Sequence, residues 1–129
     1  MFKPILAIVF GASAGALSRW GLGLWLNAIF PQIPLGTLVA NLAGGYIIGV
    51  FMGVFAAFPD ISQGWHLLII TGFLGALTTF STFSAEVVGL LMQERYAMAL
   101  CASVLHIFGS LSMTLFGVAS FALLKNALR

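Results

Sequence analysis

The sequence predicts an all-α integral membrane protein of four transmembrane helices forming a single domain over residues 1–129. Three observations predict it. Hydrophobic residues make up 61% of the chain and charged residues only 6%, whereas a soluble domain carries roughly 25% charged residues; so little charge cannot solvate a protein surface. Mean hydropathy is +1.13. Finally, four apolar stretches each exceed the roughly 20 helical residues needed to cross a hydrocarbon core about 30 Å thick.

The first helix is expected over residues 4–29. Its start, "MFKPILAIVFGASAGA", imitates a secretion signal, with Lys3, a short apolar run and small residues up to Ala14. Apolar character continues past Arg19 to Phe30, so an uncleaved membrane helix is the preferred reading. "FPQIPLG" (Phe30–Gly36) breaks the pattern, and a second helix is expected over 35–57. "FPDISQG" (Phe58–Gly64) precedes a third helix over 65–91, and "QERY" (Gln93–Tyr96) a fourth over 97–124. Such short connections force an up-down-up-down array with both termini on one side. That side carries Lys3, Lys125 and Arg129, and the other carries Arg95, with Arg19 if it reaches the interface. This is a weak bias under the positive-inside rule. It slightly favours cytoplasmic termini and equally permits insertion in both orientations.

Glycines recur at four-residue spacing, Gly11 and Gly15 in the first helix and Gly45, Gly49 and Gly53 in the second. This pattern lets helix backbones approach closely in lipid, either between subunits or within one. The lone Cys101 excludes an internal disulfide and is expected to be a small, buried apolar residue. The net charge of +2 forms no basic stripe, so nucleic acid is not an expected partner; membrane lipid is.

Depth along the helices gathers the polar residues. At about 1.5 Å rise per residue, Arg19, Asn41 and Glu86 all fall toward one leaflet, and an Arg19–Glu86 pair is one arrangement they allow. Arg19 can also snorkel to an interface marked by Trp20 and Trp25. Glu86 is shorter and needs water or a partner. In the fourth helix Ser103, Ser110 and Thr114 share a face, with His106 beside it, although single hydroxyls in membrane helices usually bond to their own backbone. Asp60, Glu94, Arg95, Lys125 and Arg129 read as solvated loop and terminal charges, and His66 beside Trp65 as interfacial.

The most informative stretch is "GFLGALTTFSTFSAE", Gly72–Glu86. Thr78, Thr79, Ser81, Thr82 and Ser84 follow Gly72 and Gly75, a composition that weakens a helix. A break at membrane depth is tolerated only where protein or water satisfies the freed backbone groups, and broken helices of this kind build ion sites. Phe80 and Phe83 lie three apart. An aromatic ring has an electropositive edge, which could hold a small anion weakly enough to release it, as conduction requires; core packing is the ordinary alternative for such a pair.

These residues, together with "GASAGALSRW" around Arg19, "GTLVANLAGGYIIG" around Asn41 and "HIFGSLSMT" in the fourth helix, resemble the Fluc (CrcB) fluoride channel family, and the resemblance covers the whole chain. It implies an antiparallel, dual-topology homodimer with two pores, in a bacterial-type cytoplasmic (inner) membrane. It implies a third helix broken at Gly75–Thr78, with the backbone carbonyls of Gly75 and Thr78 from both subunits holding one structural sodium ion. It implies Asn41, Phe80, Phe83, Thr82, Ser110 and Thr114 along the fluoride pathway, and Arg19 and Glu86 at the vestibule. The implied function is passive fluoride export that lowers fluoride toxicity. A small proton-coupled multidrug-type exporter shares the size and span number, but needs a deep carboxylate that the first helix lacks. A purely structural subunit has no need of a buried polar track. An enzyme is not expected, because His66 and His106 lie at different depths and no nucleophile, base and oxyanion donors converge.

Overall fold

The computed structural model describes residues 2–128; Arg129, assigned above to the terminal charges, lies outside them. Four apolar spans are present, Lys3–Leu26, Leu35–Ala57, Gln63–Met92 and Tyr96–Ala127. They comprise five helices: α1 (Phe2–Leu26), α2 (Leu35–Ala57), α3 (63–77), α4 (Phe80–Met92) and α5 (Tyr96–Ala127). The third span is thus two helices, as its composition predicted. Gly75 itself is regularly helical, with φ −61° and ψ −31°. The chain leaves the helix at Thr78 (φ −81°, ψ 153°) and Thr79 (φ −154°, ψ 119°), both extended. The break therefore lies at Thr78–Thr79, at the C-terminal edge of the expected Gly75–Thr78 interval. Two successive β-branched threonines, rather than the glycine, occupy it.

Each helix ends for a local reason. Pro34 precedes α2 without a side-chain cap, and Asn27 supplies one from the end of α1, its Oδ1 accepting the Gly36 N–H at 2.8 Å. The last carbonyls and first amides of a helix need such outside partners. α2 ends before Pro59, whose ring disfavours helical geometry at Phe58. The turn from α4 to α5 is a Schellman motif. Glu94 takes a left-handed conformation (φ 59°), the Arg95 N–H reaches the Leu90 carbonyl at 2.9 Å and the Glu94 N–H reaches that of Leu91 at 3.0 Å.

The glycine spacing is used within the chain. Gly11 and Gly15 face the carbonyls of Leu68 and Phe73, so that α1 lies backbone to backbone on α3. Part of α3, Leu67–Leu74, is π-helical, and Gly72 in that stretch meets Gly11. Gly49 and Gly117 bring α2 and α5 together in the same way, with Gly45 against the Ser110 carbonyl. These two pairings, α1 with α3 and α2 with α5, are the broadest in the fold. Large side chains would hold the backbones apart, and in lipid close packing replaces the hydrophobic effect as the force between helices.

The enclosed core is small. Ala40, Leu74 and Leu77 form its centre, and Ile33, Leu90, Ala99 and Ala102 a second cluster near the α4–α5 turn. Only 6% to 28% of the most apolar window of each span is buried, which leaves most apolar surface for lipid or another chain. Cys101 belongs to that exposed surface, contrary to the expectation of a buried residue, because the face that α5 buries runs through Ala99, Ala102 and His106. His66 and Trp65 are exposed at the start of α3, with the His66 ring 4.9 Å from that of Phe55.

Candidate functional site

An interrupted helix must place its freed backbone groups somewhere, and the partners at Thr78–Thr79 define the site. The Thr78 N–H closes α3 on the Leu74 carbonyl at 3.0 Å. The Thr79 N–H donates to Asn41 Oδ1 at 2.7 Å, and Asn41 Nδ2 donates to the Thr79 carbonyl at 3.0 Å. Asn41 therefore pairs with both polar groups of one extended residue. Thr79 Oγ1 accepts the Thr82 N–H at 3.2 Å and caps α4; its own proton points to Thr82 Oγ1 at 3.1 Å.

The double pairing also determines an imidazole tautomer. A backbone N–H can only donate and a backbone C=O only accept, so the Asn41 amide has one possible orientation. The second Nδ2 hydrogen then faces His106 Nδ1 at 3.0 Å. That nitrogen must accept, which puts the His106 proton on Nε2. His106 is only 4% exposed, and its Nε2 has no partner among the described residues. A buried donor left in this state costs roughly 1–3 kcal/mol, which an arriving acceptor would offset.

The aromatic residues extend the cluster. The Phe83 ring stacks on His106 at a centroid distance of 4.5 Å and 27°. Phe80 meets Phe83 edge to face at 5.4 Å and 71°. Phe83 is 7% exposed and Phe80 75% exposed, so one ring belongs to the chain's interior and the other projects from it.

Two cavities separate the predicted residues. The first, of about 500 Å³, is lined by Asn41, Gly75, Thr78, Thr79, Phe80, Phe83, His106 and Ser110 among others. The second, of about 490 Å³, is lined by Arg19, Trp20, Asn27, Thr37 and Thr82 among others. Thr114 lines neither; its hydroxyl donates to the Ser110 carbonyl at 3.0 Å, and Ser103 likewise bonds back to Ala99 at 2.8 Å. The Arg19–Glu86 pair allowed by their shared depth is not formed, because each side chain has a nearer partner. Arg19 Nε donates to the Ala76 carbonyl at 3.1 Å, so Arg19 turns inward to the broken helix. Glu86 Oε1 accepts the Thr37 hydroxyl at 2.6 Å.

Sequence reasoning gave Thr37 and Thr79 no individual role, and kept His106 only as a neighbour. Thr37 could have been found from its place four residues before Asn41, which puts both on one face of α2. The backbone carbonyls leave no trace in residue type. Those of Gly75 and Thr78 would, in an unbroken helix, accept the N–H groups of Thr79 and Thr82, and both of those donors are engaged elsewhere. Gly75 and Thr78 line the same cavity, and uncommitted carbonyl oxygens are of the donor type that suits a hard cation.

A family model described as "CrcB-like protein, Camphor Resistance (CrcB)" matches residues 6–118. Relatives named fluoride-specific ion channel FluC resemble the chain over nearly its whole length. The protein of Nitrosomonas europaea is 55% identical over 127 residues, 98% of this chain and 100% of the relative. That of Chromobacterium violaceum is 60% identical over 126 residues, again 98% and 100%. That of Desulfovibrio desulfuricans is 56% identical over 129 residues, the full length of both.

Proposed function

The chain belongs to the CrcB-like family, and from that membership we propose that it is a multi-pass membrane protein acting as a fluoride-selective ion channel rather than an enzyme. The observation that carries the reading is 55% to 60% identity, over nearly the whole chain, to proteins named for that activity. The site agrees with it. A small anion that holds water tightly needs donors in place of its shell, and binding must stay weak enough for release. Ring edges at Phe80 and Phe83, the His106 Nε2–H and the Ser110 hydroxyl supply such partial charges at the first cavity, and the Thr82 hydroxyl supplies one at the second. Fluoride would leave the cytoplasm passively, driven by a negative-inside potential worth about 2.3 kcal/mol per charge per 100 mV. The proton-coupled exporter is set aside: these relatives are named as fluoride channels, and Glu86 is tied to Thr37.

The working unit proposed is an antiparallel homodimer in the cytoplasmic (inner) membrane, with sodium between the Gly75 and Thr78 carbonyls of the two copies. Phe80 projects from the chain beside the first cavity, as do Ile107 (47% exposed) and Leu111 (60% exposed) on α5. Gly75 supports the same face. A Cβ there would touch only Ile70 O, at an ordinary 3.6 Å, so nothing within one chain requires glycine. A second backbone approaching Gly75 would. Gly75→Val is therefore expected to leave the four spans folded in detergent, with an unchanged helical circular dichroism spectrum, while shifting the protein to monomer on size-exclusion chromatography with light scattering. An unshifted dimer would place the contact elsewhere.

The function itself is tested with purified protein in potassium-loaded liposomes. After valinomycin, external fluoride is followed with an ion-selective electrode, and chloride in parallel. Fast fluoride loss with negligible chloride loss is expected. No fluoride flux from folded protein would overturn the reading.

A further inference from the structure

Broken helices expose carbonyls, but they do not by themselves keep them free. The last four carbonyls of a helix have no partner inside it, and nearby donors normally claim them. Here, of the carbonyls at the end of α3, Leu74's takes the Thr78 N–H and Ala76's takes Arg19 Nε. The two that the sodium reading needs, Gly75 and Thr78, have lost their natural donors to two specific side-chain acceptors. Asn41 Oδ1 holds the Thr79 N–H at 2.7 Å, and Thr79 Oγ1 holds the Thr82 N–H at 3.2 Å.

We infer that Asn41 and Thr79 are the positioning residues of the cation site: each diverts one backbone N–H and so keeps one carbonyl, Gly75 or Thr78, available for a cation. Asn41 also fastens the Thr79 carbonyl through Nδ2 at 3.0 Å, which holds residue 79 extended and prevents α3 from winding one residue further and covering Gly75. The same side chain that faces the anion cavity thereby shapes the cation site. Neither residue touches the cation in this arrangement. This inference rests on the sodium reading above, and it places the control of that site on side chains that no list of cation ligands would contain.

The test reads sodium binding through stability, not flux. A ligand that binds only the folded state raises the unfolding midpoint in a concentration-dependent way. The wild-type homodimer, Asn41→Ala, Thr79→Val and Ser103→Ala are purified in detergent. Their thermal midpoints are measured across a sodium titration, with N-methyl-D-glucamine holding ionic strength constant. Wild type and Ser103→Ala should show the same sodium-dependent rise, because Ser103 bonds only to its own helix. Asn41→Ala and Thr79→Val should each need at least about tenfold more sodium for the same rise, since supporting partners of metal ligands typically change affinity by roughly 10–100-fold. Asn41→Asp, which keeps an acceptor for the Thr79 N–H, should need less sodium than Asn41→Ala. Should Asn41→Ala not fold, Thr79→Val and Asn41→Asp still decide, because the first must weaken sodium and the second must bind within threefold of wild type. Unchanged sodium dependence in Thr79→Val, or in a folded Asn41→Ala, overturns the inference alone. A wild-type midpoint that ignores sodium overturns the sodium reading, and the inference with it.

Discussion

Phe83→Ile is expected to lower fluoride efflux from liposomes by about 100-fold or more, equivalent to about 2.7 kcal/mol of lost stabilisation along the pathway. Isoleucine is apolar and of comparable bulk, so the change removes the ring rather than the packing volume. Two things go with it. The electropositive ring edge that Phe83 brings to the cavity lining disappears. The stack on His106, 4.5 Å away, is also lost, which leaves the Asn41 hydrogen bond to orient the imidazole without it. Aromatic pairs contribute about 0.5–1.5 kcal/mol beyond area burial, so stability should fall only modestly and the assembly state should stay that of wild type. The measurement is electrode-recorded efflux per folded protein, with size-exclusion profiles matched to wild type. Wild-type flux from Phe83→Ile would mean that the ring packs and does not bind.

Gly117→Val should have the largest effect on folding. A Cβ at Gly117 would run into the Tyr46 carbonyl oxygen and lie 2.8 Å from the Val50 nitrogen, both backbone atoms of α2. Overpacked cores usually lose about 1–3 kcal/mol, because side chains can shift. Here backbone would have to move, and α2 carries Asn41 and Thr37 with it. The expected result is loss of monodisperse protein in detergent, and no fluoride flux. Gly89→Ala makes the contrast. An added Cβ there meets nothing within 4 Å, and alanine favours a helix by about 1 kcal/mol over glycine. That variant should express well and melt at or above the wild-type midpoint. If both variants behave alike, the α2–α5 contact is not what holds the fold.

Much of this site was legible from depth alone. Arg19, Asn41 and Glu86 fall toward one leaflet because helices rise by a constant amount per residue, and hydroxyls clustered after Gly72 and Gly75 mark a weak helix wherever they occur. Both facts are local. The pairing was not legible. Depth places a residue along one axis, while its partner depends on rotation about the helix and on which helices touch. Thus Arg19 and Glu86 share a leaflet yet bond to Ala76 and Thr37. Thr114 shares a helix face with Ser110 yet turns its hydroxyl back to the Ser110 carbonyl.

By itself, then, the amino-acid order determined a four-span membrane protein, a third span unable to remain one helix, and the residue types that can meet a small anion. These follow from hydropathy, helix rise and side-chain chemistry, which need no neighbours. Only the tertiary structure decided that the glycine rows join helices within one chain, that Asn41 grips Thr79, and that the Gly75 and Thr78 carbonyls stay open. The physical reason is that a free carbonyl is defined by where its donor has gone. That is a property of three helices meeting at one point, and no single residue records it.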